Sequence, residues 1–187
     1  MHTTLCGAVL ATAILCGVAA CATAQTPAGA LTFRKLTTSV AQVEGTQVRD
    51  LRIQWTREPG PAIAGQAQAA TPQSNVFSLL QEQTSTGGLR RERAPQLSTT
   101  QLVVVVQDAS GRELDWRTVA DPSMIRAEFP GPDGTLSGRV VEQRSSELLV
   151  SIPDVAGADR LRIYRPVWNG RDYDLEALGT VPLGPAR

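Results

Sequence analysis

Apolar residues along this chain recur mostly at every second position, and beyond residue 24 no long stretch repeats them at a helical spacing. Leu51, Ile53 and Trp55 alternate with Arg52, Gln54 and Thr56, which predicts a half-buried strand over 47–56. A first strand is expected over 31–38. Residues 59–75 are rich in Pro, Ala and Gln and read as a loop, 76–81 as a short strand or one helical turn, and 82–99 as a second polar loop.

From residue 100 the pattern strengthens. Residues 101–107 hold Leu102 and four consecutive valines, a continuous β-branched run that predicts a strand buried on both faces. Asp108-Ala109-Ser110-Gly111 is a turn signal, so 112–120 is expected to return as the partner strand of a hairpin. Residues 124–129 alternate up to a strong turn at 130–134. Residues 136–143 and 147–152 flank Ser145-Ser146 and read as a further hairpin. Residues 160–164 alternate again, Asn169-Gly170 is the pair favoured in two-residue hairpin turns, and 173–183 closes the chain as a last strand ending at Pro182.

Seven short strands with turn signals every 8–12 residues predict an all-β fold, an antiparallel β-sandwich of immunoglobulin-like or fibronectin type III-like form. The expected organisation is a signal peptide over 1–24, N-terminal strands with long mobile loops over 25–99, and a β-sandwich core domain over 100–187. The segments 59–75 and 82–99 exceed the ~12–15 residues usual for structureless loops in compact domains, so they are expected to be functional or mobile.

Composition matters most through where the rare residues fall. The only histidine is His2 and the only cysteines are Cys6, Cys16 and Cys21. They lie in an uncharged N-terminal stretch whose apolar core, 5–18, has the length of a signal-peptide h-region and is too short for a transmembrane helix. Two cleavage readings stand open. Ala22-Thr23-Ala24 is an A-x-A site, giving cleavage before Gln25. Val18-Ala19-Ala20-Cys21 resembles a bacterial lipobox, which implies cleavage after residue 20 and lipidation of Cys21 as the first mature residue, a membrane anchor made of acyl chains. The resemblance covers four residues.

With the leader removed, the working chain has no imidazole, and no thiol except an acylated Cys21. That excludes Cys/His zinc or copper sites, Ser-His-Asp and Cys-His nucleophilic chemistry, and an intramolecular disulfide. The 18 basic and 18 acidic side chains balance, which argues against a nucleic-acid partner. No cofactor or metal is expected.

The acid–base groups left are carboxylates. Asp172 and Asp174 flank Tyr173; Asp108, Glu113 and Asp115 surround one turn, and Asp121, Glu128 and Asp133 another. A glycosidase would need two of them facing each other at ~5–9.5 Å. The turns DASG, GPDG and NGRDYD hold candidate calcium oxygens without the spacing of an EF-hand loop. The Arg90-Arg91-Glu92-Arg93 cluster reads as a solvated loop or a phosphate contact. Trp168, Asn169, Gly170 and Tyr173 form a candidate binding loop, in which a loop-tip aromatic acts as anchor; hairpin packing across the turn is the alternative.

The expected function is therefore that of an exported, non-catalytic β-sandwich module of the bacterial cell envelope, periplasmic or lipid-anchored. It would bind another envelope protein or polymer through loops or a strand edge. The alternative is a carboxylate-based hydrolase acting on envelope polysaccharide.

Overall fold

The computed structural model describes residues 31–58, 74–93, 95–130 and 133–185. The expected signal peptide, its cleavage sites and Cys21 lie outside the described residues, as does most of the loop expected over 59–75. Among the described residues the fold is mostly β, in antiparallel sheets with one short helix.

The first described element is α1 (Phe33–Ser39), where a strand was expected. The apolar positions Phe33, Leu36 and Val40 are spaced three and four apart, which is a helical stripe, and Thr32 caps the helix by accepting a hydrogen bond from the Lys35 amide at 3.2 Å. The strands β1 (Gly45–Glu58) and β2 (Ser74–Leu89) follow and pair along nearly their whole length. β2 therefore runs through residues 82–89, expected as loop. Its second half is polar: Gln81, Gln83, Thr84 and Thr86 are exposed, Glu82 and Ser85 are half-buried, and the alternation is interrupted at Leu80-Gln81 and at Gln83-Thr84, so no apolar stripe marks it as a strand. Leu80 lies at the register shift opposite Arg52 and Ile53, and is exposed.

Next come β3 (Gln101–Gln107), β4 (Glu113–Ala120), β5 (Met124–Pro130), β6 (Leu136–Glu142), β7 (Ser145–Pro153), β8 (Arg160–Trp168) and β9 (Tyr173–Pro182). The expected hairpin of 136–143 with 147–152 is not formed. β6 pairs with β5, β7 pairs with β1, and Ser145-Ser146 belong to β7. The Gln143 amide donates to the Ser123 carbonyl at 2.7 Å and the Arg57 amide to the Arg144 carbonyl at 2.8 Å, so the link between β6 and β7 bends at Arg144 and is tied to β1 and to the start of the β5–β6 hairpin without making a hairpin turn.

The sheets order as β2-β1-β7, β4-β3-β8-β9 and β5-β6. β1 and β2 share a sheet with β7, so strands from both sides of residue 99 build one layer. The first two sheets face each other across a core that includes Leu51, Ile53, Trp55, Leu102, Val104, Val106, Leu148, Ile152, Leu161 and Ile163. The second sheet is covered on its other face as well. Val103, Val105, Trp116, Tyr164 and Leu175 pack under Phe33, Leu36 and Val40. This third layer is why β3 is apolar at consecutive positions, as its sequence implied. Burying each such Val, Leu or Ile stabilises the fold by ~1.5–3 kcal/mol over leaving it in water.

The edge of β4 is covered by side chains standing in for a neighbouring strand. Asp115 accepts from the Val43 amide at 2.6 Å, Arg117 donates to the Val43 carbonyl, and Gln42 donates to the Trp116 carbonyl at 3.1 Å. Burial pushes the Asp115 carboxyl above its ordinary range, against the Val43 amide and Arg117, which pull the other way. At one end of the sheets Arg49, fully buried, bridges Asp154, Glu82 at 2.9 Å and the Gly184 carbonyl at 2.7 Å. It thus ties β1 to β2, to the β7–β8 loop and to the C-terminal segment.

Candidate functional site

The opposite end of the sheets differs in kind. The register puts Gln101, Ala120, Trp168 and Tyr173 there, together with Trp55 and Arg57 of β1. The β5–β6 hairpin leaves the body at this end, between the last residue of β4 and the first of β7.

Asp121 anchors the hairpin root. Its Oδ1 accepts from the Ser123 amide at 2.9 Å and from the Ser123 hydroxyl. Arg57 donates to that hydroxyl at 2.6 Å and to Glu142 on the returning strand. The Arg57 guanidinium lies 4.5 Å above the Trp55 ring, and that of Arg165 lies 6.0 Å from the same ring. Both face Asp121 Oδ2, at 4.0 and 3.6 Å, neither close enough for a hydrogen bond. Asp121 Oδ2, Arg57 Nε and Ser146 Oγ are buried without a hydrogen-bond partner among the described residues. The cluster is thus a buried charge group with spare hydrogen-bonding capacity, a costly arrangement that persists only where the surroundings fix it. Beside it an open groove of about 400 Å³ runs along Thr100, Asp121, Met124, Arg126 and Val140.

Outside this root the hairpin is exposed. Cross-strand pairs put Ile125, Ala127, Phe129 and Val141 on one face, and Met124, Leu136 and Val140 on the other. Ile125, Phe129, Leu136, Val140 and Val141 are all open to solvent, as are Val76, Val167 and Trp168 at the same end. Only Leu80 and Leu149, in mid-strand, are large exposed apolar side chains elsewhere among the described residues.

The sequence-predicted binding loop lies at this end. Trp168 is 54% exposed and meets Tyr173 edge-on, with ring centroids 5.0 Å apart. Packing across the turn and exposure of the anchor therefore occur together. The turn has four residues, where two were expected: Trp168 pairs with Tyr173, and the Asn169 amide donates to the Asp172 carbonyl. Asn169 Oδ1 accepts from the Arg171 and Asp172 amides, its amide group donates to Asp174, and Gly170 takes a left-handed conformation at φ 95°. Tyr173 packs against the cluster beneath α1.

The carboxylates singled out in the sequence are dispersed. Asp108 Oδ1 accepts from the Ser110 amide, the Ser110 hydroxyl and the Arg112 amide; Asp133 Oδ1 accepts from the Thr135 amide and hydroxyl. With Asp121-Pro122-Ser123, these make three uses of one device, Asp-X-Ser/Thr, in which the side chain closes its own turn. The repeat is visible in the sequence and is a signal the expectation above passed over. The candidate calcium oxygens of the DASG turn serve these bonds, and those of NGRDYD serve Asn169 and its neighbours. Among the described residues no three metal-ligating side chains converge. The 90–93 cluster runs beside β4: the Arg90 carbonyl accepts from Arg117, Arg91 faces Glu44 at 3.8 Å, and Glu92 accepts from Thr118. Among the described residues no helix is long and apolar enough to cross a membrane.

Compared with known proteins, the chain matches no family model, no curated protein and no solved structure.

Proposed function

We propose that this protein is an exported, non-catalytic module of the bacterial cell envelope that binds a protein or polymer partner at the end carrying Trp168 and the β5–β6 hairpin. One observation carries the reading: among the described residues, nearly all the large apolar side chains left exposed lie at that end. Scattered exposed apolar residues need no explanation, whereas a gathered set around an aromatic is the usual anatomy of a recognition surface. Export is supported by the uncharged apolar stretch over 5–18 followed by small residues.

The fold reading that goes with it is an immunoglobulin-like sandwich with a changed first sheet. In the immunoglobulin plan one sheet reads A-B-E-D, with the first strand at its edge. Here the first described strand, β1, lies between β2 and β7.

A photo-cross-linking amino acid introduced at position 168, and in a control chain at Gln83 on the outer face of β2, tests the binding site in cells. A discrete adduct from position 168 and none from position 83 is the expected result. Equal labelling from both positions, or none from 168, would overturn it.

A further inference from the structure

We propose that the free edge of β5 pairs antiparallel with the same edge of a second copy of this chain, centred on Ala127. This goes beyond the partner reading above and does not depend on Trp168.

The β5–β6 sheet has two strands and no described neighbour on either edge. An isolated two-stranded hairpin is marginal in water, and an open edge is a template for another strand. The sequence of β5, Met-Ile-Arg-Ala-Glu-Phe-Pro, selects what pairs with it. Run antiparallel to itself about Ala127, it sets Arg126 against Glu128 of the second copy and Glu128 against Arg126. On the other face it sets Ile125 against Phe129, twice. Opposite charges and apolar–aromatic contacts directly across a pair both stabilise a sheet.

The neighbouring registers lack this. Centring on Arg126 or on Glu128 places that charge against itself. A shift by one residue puts the Ile125–Phe129 face of one copy beside the Arg126–Glu128 face of the other. The β6 edge offers no equivalent, because its midpoint is Arg139 and a two-fold there opposes like charges. Pro130, which lacks an N–H, falls at the last pair, opposite Met124, where the loss is smallest. The product is a four-stranded sheet β6-β5-β5-β6, with Ile125, Ala127 and Phe129 of both copies adjacent at the centre of one face and Val141, Arg139 and Ser137 of each β6 flanking them. The edge of β4, by contrast, is already covered by the Asp115 and Arg117 contacts described above.

Sedimentation equilibrium of the protein purified from its producing cells, in reducing buffer so that cysteines cannot cross-link copies, tests the proposal. The range from about 10 µM to 1 mM suits an interface this small. Arg126 and Glu128 are exposed, so reversing their charges leaves the body intact, and an unchanged melting temperature checks this. The wild type should dimerise with rising concentration. Arg126→Glu and Glu128→Arg should each weaken dimerisation by about tenfold or more. An equimolar mixture of the two variants should pair, and the double variant R126E/E128R should self-associate as the wild type does. A chain that stays monomeric throughout, dimers indifferent to both reversals, or single variants that fail to pair with each other would each overturn the proposal.

Discussion

β3 and the β5–β6 hairpin are built from similar material and end in opposite surroundings. β3 carries Leu102 and four valines; the hairpin carries Ile125, Phe129, Leu136, Val140 and Val141. Every residue of β3 from Leu102 to Gln107 is buried, one face under the opposing sheet and the other under α1. Every residue of β6 is exposed. Apolar content therefore does not by itself decide burial in this fold; what decides it is whether a second layer reaches the strand. β3 has a layer on each side, and the hairpin, held to the body through Asp121, Ser123 and Arg57, has none among the described residues.

The sharpest way to break this comparison is one substitution made in both places. Leu102→Ala removes a side chain with no exposed surface from between the sheets, and large-to-small changes of this kind cost about 2–5 kcal/mol. Leu136→Ala removes one that is 67% exposed and should change stability by no more than about 0.5 kcal/mol. Urea unfolding of both variants measures the difference. Equal losses would mean that the hairpin is covered in the working protein.

A smaller effect separates the two faces of β3 from the hairpin. Val105→Thr keeps the shape and places a hydroxyl among Phe33, Leu36 and Trp116. A buried hydroxyl without a partner costs about 1–3 kcal/mol, whereas Val140→Thr, at an exposed position, should lie within about 0.5 kcal/mol of wild type. Thermal melts of the pair would show it. A silent Val105→Thr would mean that α1 does not seal this face.

These contrasts also show what could be read in advance. The burial of β3 on both faces was legible because a β-branched run has few other solutions. The third layer was not, because Phe33, Leu36 and Val40 make only two helical turns and the same segment also reads as a strand. The second half of β2 was hidden by its polar side chains and interrupted alternation, and the pairing of β6 by the Ser145-Ser146 dipeptide, which resembles a turn. At the candidate site the Trp168 loop was legible from the aromatic beside Asn169-Gly170. The Asp121 cluster was not. Its members come from β1, β6, β7, β8 and the β4–β5 link, and Arg57 reaches Ser123 and Glu142 across 66 and 85 positions. Only the fold brings them together.

The finest comparison uses the turn device the two hairpins share. The Asp108 carboxyl is held at about 2, below its ordinary 3.8, chiefly by the Ser110 hydroxyl and the Arg112 amide, and Asp133 is lowered in the same way by the Thr135 hydroxyl and amide. A carboxyl whose folded pKa lies below its unfolded one adds stability that is complete above the unfolded value and is lost as pH falls through the folded one. The Asp108 turn should therefore weaken between about pH 4 and 2, and the Asp133 turn as pH falls below the ordinary carboxylate range. Their consequences should differ. The Asp108 turn lies at the surface but joins β3 to β4, two strands of the packed body, so its loss is felt by the whole fold, and Asp108→Asn should flatten the acid limb of global stability. The Asp133 turn closes a hairpin that supports nothing else among the described residues, so Asp133→Asn should leave that limb unchanged and alter only amide exchange near Thr135. Unfolding midpoints from pH 2 to 6, with hydrogen exchange at Ser110 and Thr135, distinguish the two. An acid limb that responds equally to both substitutions would show that the hairpin folds as one unit with the sheets.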